Sequence, residues 1–215
     1  LINMTGQRYD FVVGPRVGRS SSLEQFAFIF DQARVEVDRD QLYSVEDPDD
    51  LLDREPLVAW FRSRGPPAED AFTFTLVNVH TDPERSEREL QVLDDVFHAV
   101  RQDGRGEDDV IVLGNLHADD RQLGELGQVA EICWAIANTP TNTRGTEQHD
   151  NLVFHKQATT ESTGRSGVFD FLRQFNLTLN AADEVSHHMP VWAEFTVYEG
   201  GQPGRVATRP DATPH

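Results

Sequence analysis

The chain has 215 residues, with 19 Lys and Arg against 37 Asp and Glu, for a formal net charge of −18. Its length suffices for a buried core, and 38% hydrophobic with 26% charged residues is a globular rather than a disordered composition. It holds no run of about 18 apolar residues that could span a membrane, its single Cys133 excludes an intrachain disulfide and a cysteine metal cluster, and its acidity argues against general polyanion binding, which draws on basic surface.

Short strands with a few helices are predicted along the chain. Tyr9–Val13 is a β run expected to stop at Gly14-Pro15. Gln25–Phe30 is apolar and aromatic, a buried strand, and Arg34–Asp38 alternates with period two, a half-exposed one. Asp47–Arg54 is an acidic loop. Pro56–Phe61 resumes a strand, and the Gly65–Pro67 turn feeds another over Phe72–Val79. Leu90, Leu93, Val96, Phe97 and Val100 then recur at spacings of three and four, the signature of an amphipathic helix. Val110–Leu113 is an uninterrupted buried strand, Asp119 and Asp120 suit the start of a helix, and Leu152–Phe154 and Val191–Tyr198 are the later strands. Hairpins mixed with a helical crossover give an α/β or α+β class. From Glu199 onward Gly, Pro, Arg, Asp and Thr dominate, so residues 1–198 are expected to form one domain and 199–215 a flexible tail.

Polar residues gather at strand ends, where rigid scaffolds place their sites: Val77–His80, Leu113–Asp119, Gln148–Asn151 and Ser186–Pro190. With Val17–Phe28, Arg54–Val58 and the loop Pro140–Thr146, these segments in this order resemble the endonuclease/exonuclease/phosphatase superfamily, whose best-known fold is that of deoxyribonuclease I. The likeness runs from about Tyr9 to about Glu199.

The resemblance implies a deoxyribonuclease-I-like four-layer sandwich, two packed sheets with outer helices, and metal-dependent phosphodiester or phosphomonoester hydrolysis. The superfamily begins with a strand bearing an Asn and an element bearing a metal-binding Glu. This sequence starts downstream of both, so it is expected to be N-terminally incomplete or a rebuilt half-fold. Residue by residue, His80 and His188 match the two acid/base histidines, and Glu24 and Asp150 their orienting carboxylates. Arg19 and the adjoining serines match a phosphate-touching segment. His117 stands where the pattern has a phosphate-binding Asn. At the metal positions Asn115 and His187 replace aspartates, and both are poorer ligands for a hard cation.

Three outcomes stay open from this pattern: a phosphodiesterase or nuclease with impaired activity using Mg²⁺ or Mn²⁺; an inactive scaffold or binding module; and a repurposed site in which His80, His117, His187 and His188 converge with Asp150 on Zn²⁺ or Ni²⁺. His149 and His155 are read as surface or packing residues. The expected partner is a phosphodiester, DNA among the candidates, with no membrane and with the chain a monomer. No secretion signal is visible in Leu1–Phe11, and the pattern leaves open a bacterial-type cytoplasmic or exported protein.

Overall fold

The computed structural model describes residues 6–19 and 23–201. Ser20–Ser22 and positions 202–215, most of the expected tail, lie outside the described residues. The elements run β1 (Tyr9–Val17), β2 (Glu24–Asp31), β3 (Val35–Ser44), β4 (Leu57–Ser63), β5 (Thr73–His80), α1 (Ser86–Glu89), α2 (Leu93–Arg101) and β6 (Val110–Asn115). A 3₁₀ turn (Leu126–Gln128), β7 (Ile132–Trp134), β8 (Asp150–His155), β9 (Ser162–Val168), α3 (Phe171–Gln174), α4 (Leu179–Val185) and β10 (Val191–Phe195) follow. No helix among the described residues is long and apolar enough to cross a membrane.

The fold is a sheet-dominated α+β architecture. Six strands form one sheet in the order β3-β4-β5-β6-β8-β7, while β1–β2 and β9–β10 form two-stranded ribbons. Only β5 and β6 pair in parallel within this sheet, because α1 and α2 carry the chain back between them. On one face Val58, Val77, Val79, Val110 and Val112 pack with Leu90, Leu93, Val96, Phe97 and Val100 from the helical crossover. On the other, Leu57, Ala59 and Phe61 pack with Val12, Val17, Phe26 and Phe28 of the first ribbon. Alternate residues of β4 thus serve the two layers.

Several boundaries differ from the sequence expectations. β1 does not stop at Gly14-Pro15: the ladder shifts register between Val13 and Arg16, and that irregularity absorbs a proline that cannot donate. β2 is half-exposed rather than fully buried, with Phe26 and Phe28 inside and Ile29 64% exposed. Asp119 and Asp120 start no helix. Asp119 instead closes a turn on the Arg121 N–H at 2.8 Å, an alternative that aspartate side chains offer the backbone. β7 and β9 were not anticipated. Of the expected sandwich, the six-stranded sheet is the full layer, and β9–β10 reaches it through β8.

Phe97 is fully buried at the centre of the helix–sheet layer. Phe97→Ala should therefore lower the unfolding free energy by about 3–5 kcal/mol, read as an earlier urea midpoint with an unchanged slope.

Candidate active site

The sheet register builds the site. His80 at the end of β5 lies opposite Asn115 at the end of β6, and Asn115 lies opposite Asp150 at the start of β8. Directly paired residues point to the same face, so three strands deliver one rung of polar side chains to one end of the sheet. Gly114 lets this happen. Its φ is +134°, and a Cβ there would stand 2.0 Å from the Val79 carbonyl oxygen, so only glycine allows the two strand ends to approach this closely.

Two histidine–carboxylate pairs stand on this end. His80 Nδ1 lies 2.6 Å from Glu24 Oε2, and His188 Nδ1 lies 2.8 Å from Asp150 Oδ2. In each, a protonated Nδ1 donates to the carboxylate and leaves Nε2 available. The carboxylates are themselves held. Thr141 accepts from the backbone N–H groups of His149 and Asp150, at 2.8 and 3.0 Å, and donates its hydroxyl to Asp150 Oδ2 at 2.7 Å. Arg54, only 9% exposed, puts Nε 3.3 Å from Glu24 in ion-pair contact and donates from Nη1 to the His80 carbonyl, also at 3.3 Å. The Asp150 hydrogen bond raises the pKa of His188 above its ordinary 6.5, burial opposing it in part.

His117 stands between the pairs. Its ring stacks on His80 at 5.5 Å between centroids and meets His188 edge-on at 6.4 Å. Its backbone is left-handed, at φ +45°, and its N–H donates to Asn115 Oδ1 at 3.0 Å. Burial, followed by the neighbouring His80 and His149, pushes its pKa down to about 4, so the imidazole is neutral at pH 7. Its contacts, 3.3 Å each, fit one tautomer: Nδ1–H donates to the Thr81 hydroxyl and Nε2 accepts from Asn115 Nδ2. From His117 a cleft of about 690 Å³ extends past Leu90, Gln91, Arg121, Gln128 and Trp134.

Other sequence candidates are placed differently. His187 does not join the ring contacts. Its side chain is 79% exposed and lies one helical turn from Asp183, with Nδ1 3.7 Å from that carboxylate. Arg19 is bound by the acidic loop, 2.6 Å from Asp50 and 3.9 Å from Asp47, and donates to the Leu52 carbonyl. The structure brings in His149 instead, 5.5 Å from His117 and 5.4 Å from His188 between ring centroids. Thr141 and Arg54 were likewise given no role from sequence. Adjacency to Asp150 was the available signal for His149, while Thr141 and Arg54 lie 9 and 30 residues from the carboxylates they hold.

The residues present do not fit a Mg²⁺ site of the superfamily's kind. Asn115 offers one neutral oxygen that already accepts from His117, and His187 is largely exposed with Nδ1 toward Asp183 rather than toward Asn115. Nor do the histidines close as a transition-metal cage. Among the described residues, the groups of three or more potential ligands within 4.8 Å of one another are acidic and lie elsewhere.

Asp150→Asn should bring the His188 pKa back toward 6.5, as read by NMR titration of its ring protons. Because the folded value lies above the unfolded one, the pair's stabilisation is complete below pH 6.5 and fades as pH rises through the folded value. The variant should flatten that fall. Gly114→Ala should destabilise the chain by more than about 1–3 kcal/mol, read by thermal melting, because the added Cβ strikes backbone rather than a movable side chain.

No protein-family profile matches the chain. It is 34% identical over 198 residues to deoxyribonuclease-1-like 1 of Sus scrofa, covering 87% of this chain and 61% of that protein. To deoxyribonuclease gamma of Rattus norvegicus it is 32% identical, covering 85% of this chain and 62% of that protein. The chain thus spans about three fifths of these relatives' length. Among solved structures it resembles a conserved protein of Enterococcus faecalis (TM-score 0.57, 13% identity, 88% of this chain and 77% of that one). It also resembles D. rerio TDP2 complexed with a single-strand DNA product (TM-score 0.56, 13% identity, 91% and 80%). The ordered motifs, the sheet and these relatives together make the chain a member of the deoxyribonuclease-I-like endonuclease/exonuclease/phosphatase superfamily.

Proposed function

We propose that the chain carries the acid/base half of a phosphodiester hydrolase, and that its turnover is low because its own residues supply little positive charge at the phosphate. The observation that supports this reading is the pair of carboxylate-backed imidazoles, Glu24–His80 and Asp150–His188, standing on either side of His117 at one sheet end.

Such a pair suits hydrolysis. One imidazole takes a proton from water through its free Nε2 as the water oxygen attacks phosphorus. The other returns a proton to the departing oxygen as its bond to phosphorus breaks. Glu24 and Asp150 stabilise the imidazolium forms and fix the tautomers. Neutral His117 excludes a competing charge from between them. Charge builds on the phosphate oxygens in this reaction, and meeting it is commonly the largest catalytic contribution. In the superfamily a divalent ion does this. Here Asn115 and His187 stand at the corresponding positions, Arg19 and Arg54 are engaged by carboxylates, and Arg121, in the cleft beyond His117, donates to the Asn138 side chain.

Nucleic acid is the substrate class favoured by the deoxyribonuclease relatives and by a related fold described with bound single-strand DNA product. Against plasmid nicking and bis(4-nitrophenyl) phosphate, the parent chain should show slow turnover that His80→Ala and His188→Ala each abolish. Asn115→Asp combined with His187→Asp should raise the Mg²⁺-dependent rate by about tenfold or more. Turnover that survives both histidine substitutions would overturn the acid/base reading, and no gain from the two aspartates would overturn the account of those positions.

A further inference from the structure

At the other end of β6, about 20 Å along the sheet from the histidines, a second cluster forms. Asp109 precedes β6, Glu161 precedes β9, and Glu199 follows β10. Oxygens from these three carboxylates all lie within 4.8 Å of one another. Asp109 and Glu161 are each 1% exposed. Glu199 closes the cluster from its exposed side, and like charges packed this closely around two buried carboxylates repel unless something neutralises them.

The cluster's hydrogen bonding is one-sided. Glu161 Oε1 accepts from the Gly200 N–H at 2.6 Å, and Glu199 Oε2 accepts from the Thr73 N–H at 3.1 Å. These bonds aim the carboxylates and leave their other oxygens over. Asp109 Oδ1 and Glu161 Oε2 are buried with no hydrogen-bond partner. So is the Thr159 hydroxyl, on a residue 1% exposed that lies beside the Asp109 carboxyl. Native interiors rarely leave such atoms unpaired, and all three belong to the carboxylate cluster or lie beside it.

We propose that Asp109, Glu161, Glu199 and the Thr159 hydroxyl form a calcium site that clamps the segment after β10 to the base of the sheet. The donors are all oxygen, which selects a hard cation, and they come from three separate segments, around Asp109, Thr159–Glu161 and Glu199. Ca²⁺ accepts six to eight oxygens in flexible geometry, whereas Mg²⁺ demands six in a fixed one. Glu107 supports the site from behind. Its oxygens are taken by the Asp109 N–H and the Trp60 indole N–H, at 3.0 and 2.9 Å. The site shares no residue with the histidine cluster, so its presence or absence is independent of the hydrolase reading.

Trp60 provides the readout. Terbium substitutes for calcium, and its emission under tryptophan excitation requires an indole nearby. The parent chain should give saturable Tb³⁺ emission that Ca²⁺ displaces with a Kd between about 10⁻⁶ and 10⁻³ M and that equimolar Mg²⁺ does not. Saturating Ca²⁺, at about a hundred times Kd, should raise Tm by about 5 °C or more. Asp109→Asn and Glu161→Gln should each weaken Ca²⁺ binding by about tenfold or more. Glu161→Gln keeps the oxygen that accepts from Gly200, and Asp109→Asn removes a buried repulsion, so both should fold with melting temperatures near the calcium-free parent. If one fails to fold, the other decides. No Ca²⁺-displaceable emission in the parent, or affinity within about twofold of it in a folded variant, would overturn the site. A Tm shift from Mg²⁺ as large as that from Ca²⁺ would overturn its assignment to calcium.

Discussion

The parallel pairing of β5 with β6 is the constraint on which the rest depends. The α1–α2 crossover returns the chain to the same end of the sheet, so both strands finish together, and antiparallel β8 starts there. One rung, His80–Asn115–Asp150, then carries side chains from three segments of sequence to one face. A slip of one residue in any of the three would turn its polar residue into the opposite layer, where Val77, Val79 and Val112 pack against helix α2. Packing of the valine layer and assembly of the site are therefore the same event.

The two histidine pairs are supported by different means. Asp150 is held locally by Thr141, whose hydroxyl gathers two backbone N–H groups and then donates to the carboxylate. Glu24 begins β2 in a different layer, and it depends on Arg54, a nearly buried cation whose other contacts are the His80 carbonyl and Asp53. The first arrangement is neutral and short-range. The second is ionic, and burying Arg54 without Glu24 would leave a charge poorly compensated, the costly case for a buried pair. Docking of the β1–β2 ribbon thus completes the His80 half of the site, whereas the His188 half belongs to the main sheet and the loops beside it.

What was legible in the sequence follows from the range of the forces involved. The spacing Leu93, Val96, Phe97, Val100 fixes α2 because every one of those residues is buried against the sheet. Val110–Leu113 reads as a core strand because it is one. Ser162–Val168 does not, since its residues STGRSGV have neither alternation nor bulk, and their strand exists through pairing with β10. The site divides in the same way. Identity and order of motifs located His80, His188, Glu24 and Asp150, because strand ends place them. The orientation of His187 escaped, since it is set by Asp183 across one helical turn and by a Thr143 N–H that holds its carbonyl at 2.8 Å. Arg19 escaped for a related reason. Its charge is claimed by Asp47 and Asp50 about thirty residues onward, and no local pattern announces such a pairing.

The charge of −18 gains meaning from where it falls along β6. At the Asn115 end the side chains are an amide and imidazoles, and the carboxylates Glu24 and Asp150 each hold a histidine. At the Asp109 end three carboxylates converge with oxygens to spare and no cationic side chain among them. A divalent ion bound by carboxylates gains most where several are already gathered and desolvated, because the work of bringing them together has been done by folding. On the readings proposed above, the histidine end would move protons and the Asp109 end would hold a cation. Strand β6 joins the two ends, and its pairing with β5 and β8 sets the rung on which His80, Asn115 and Asp150 stand.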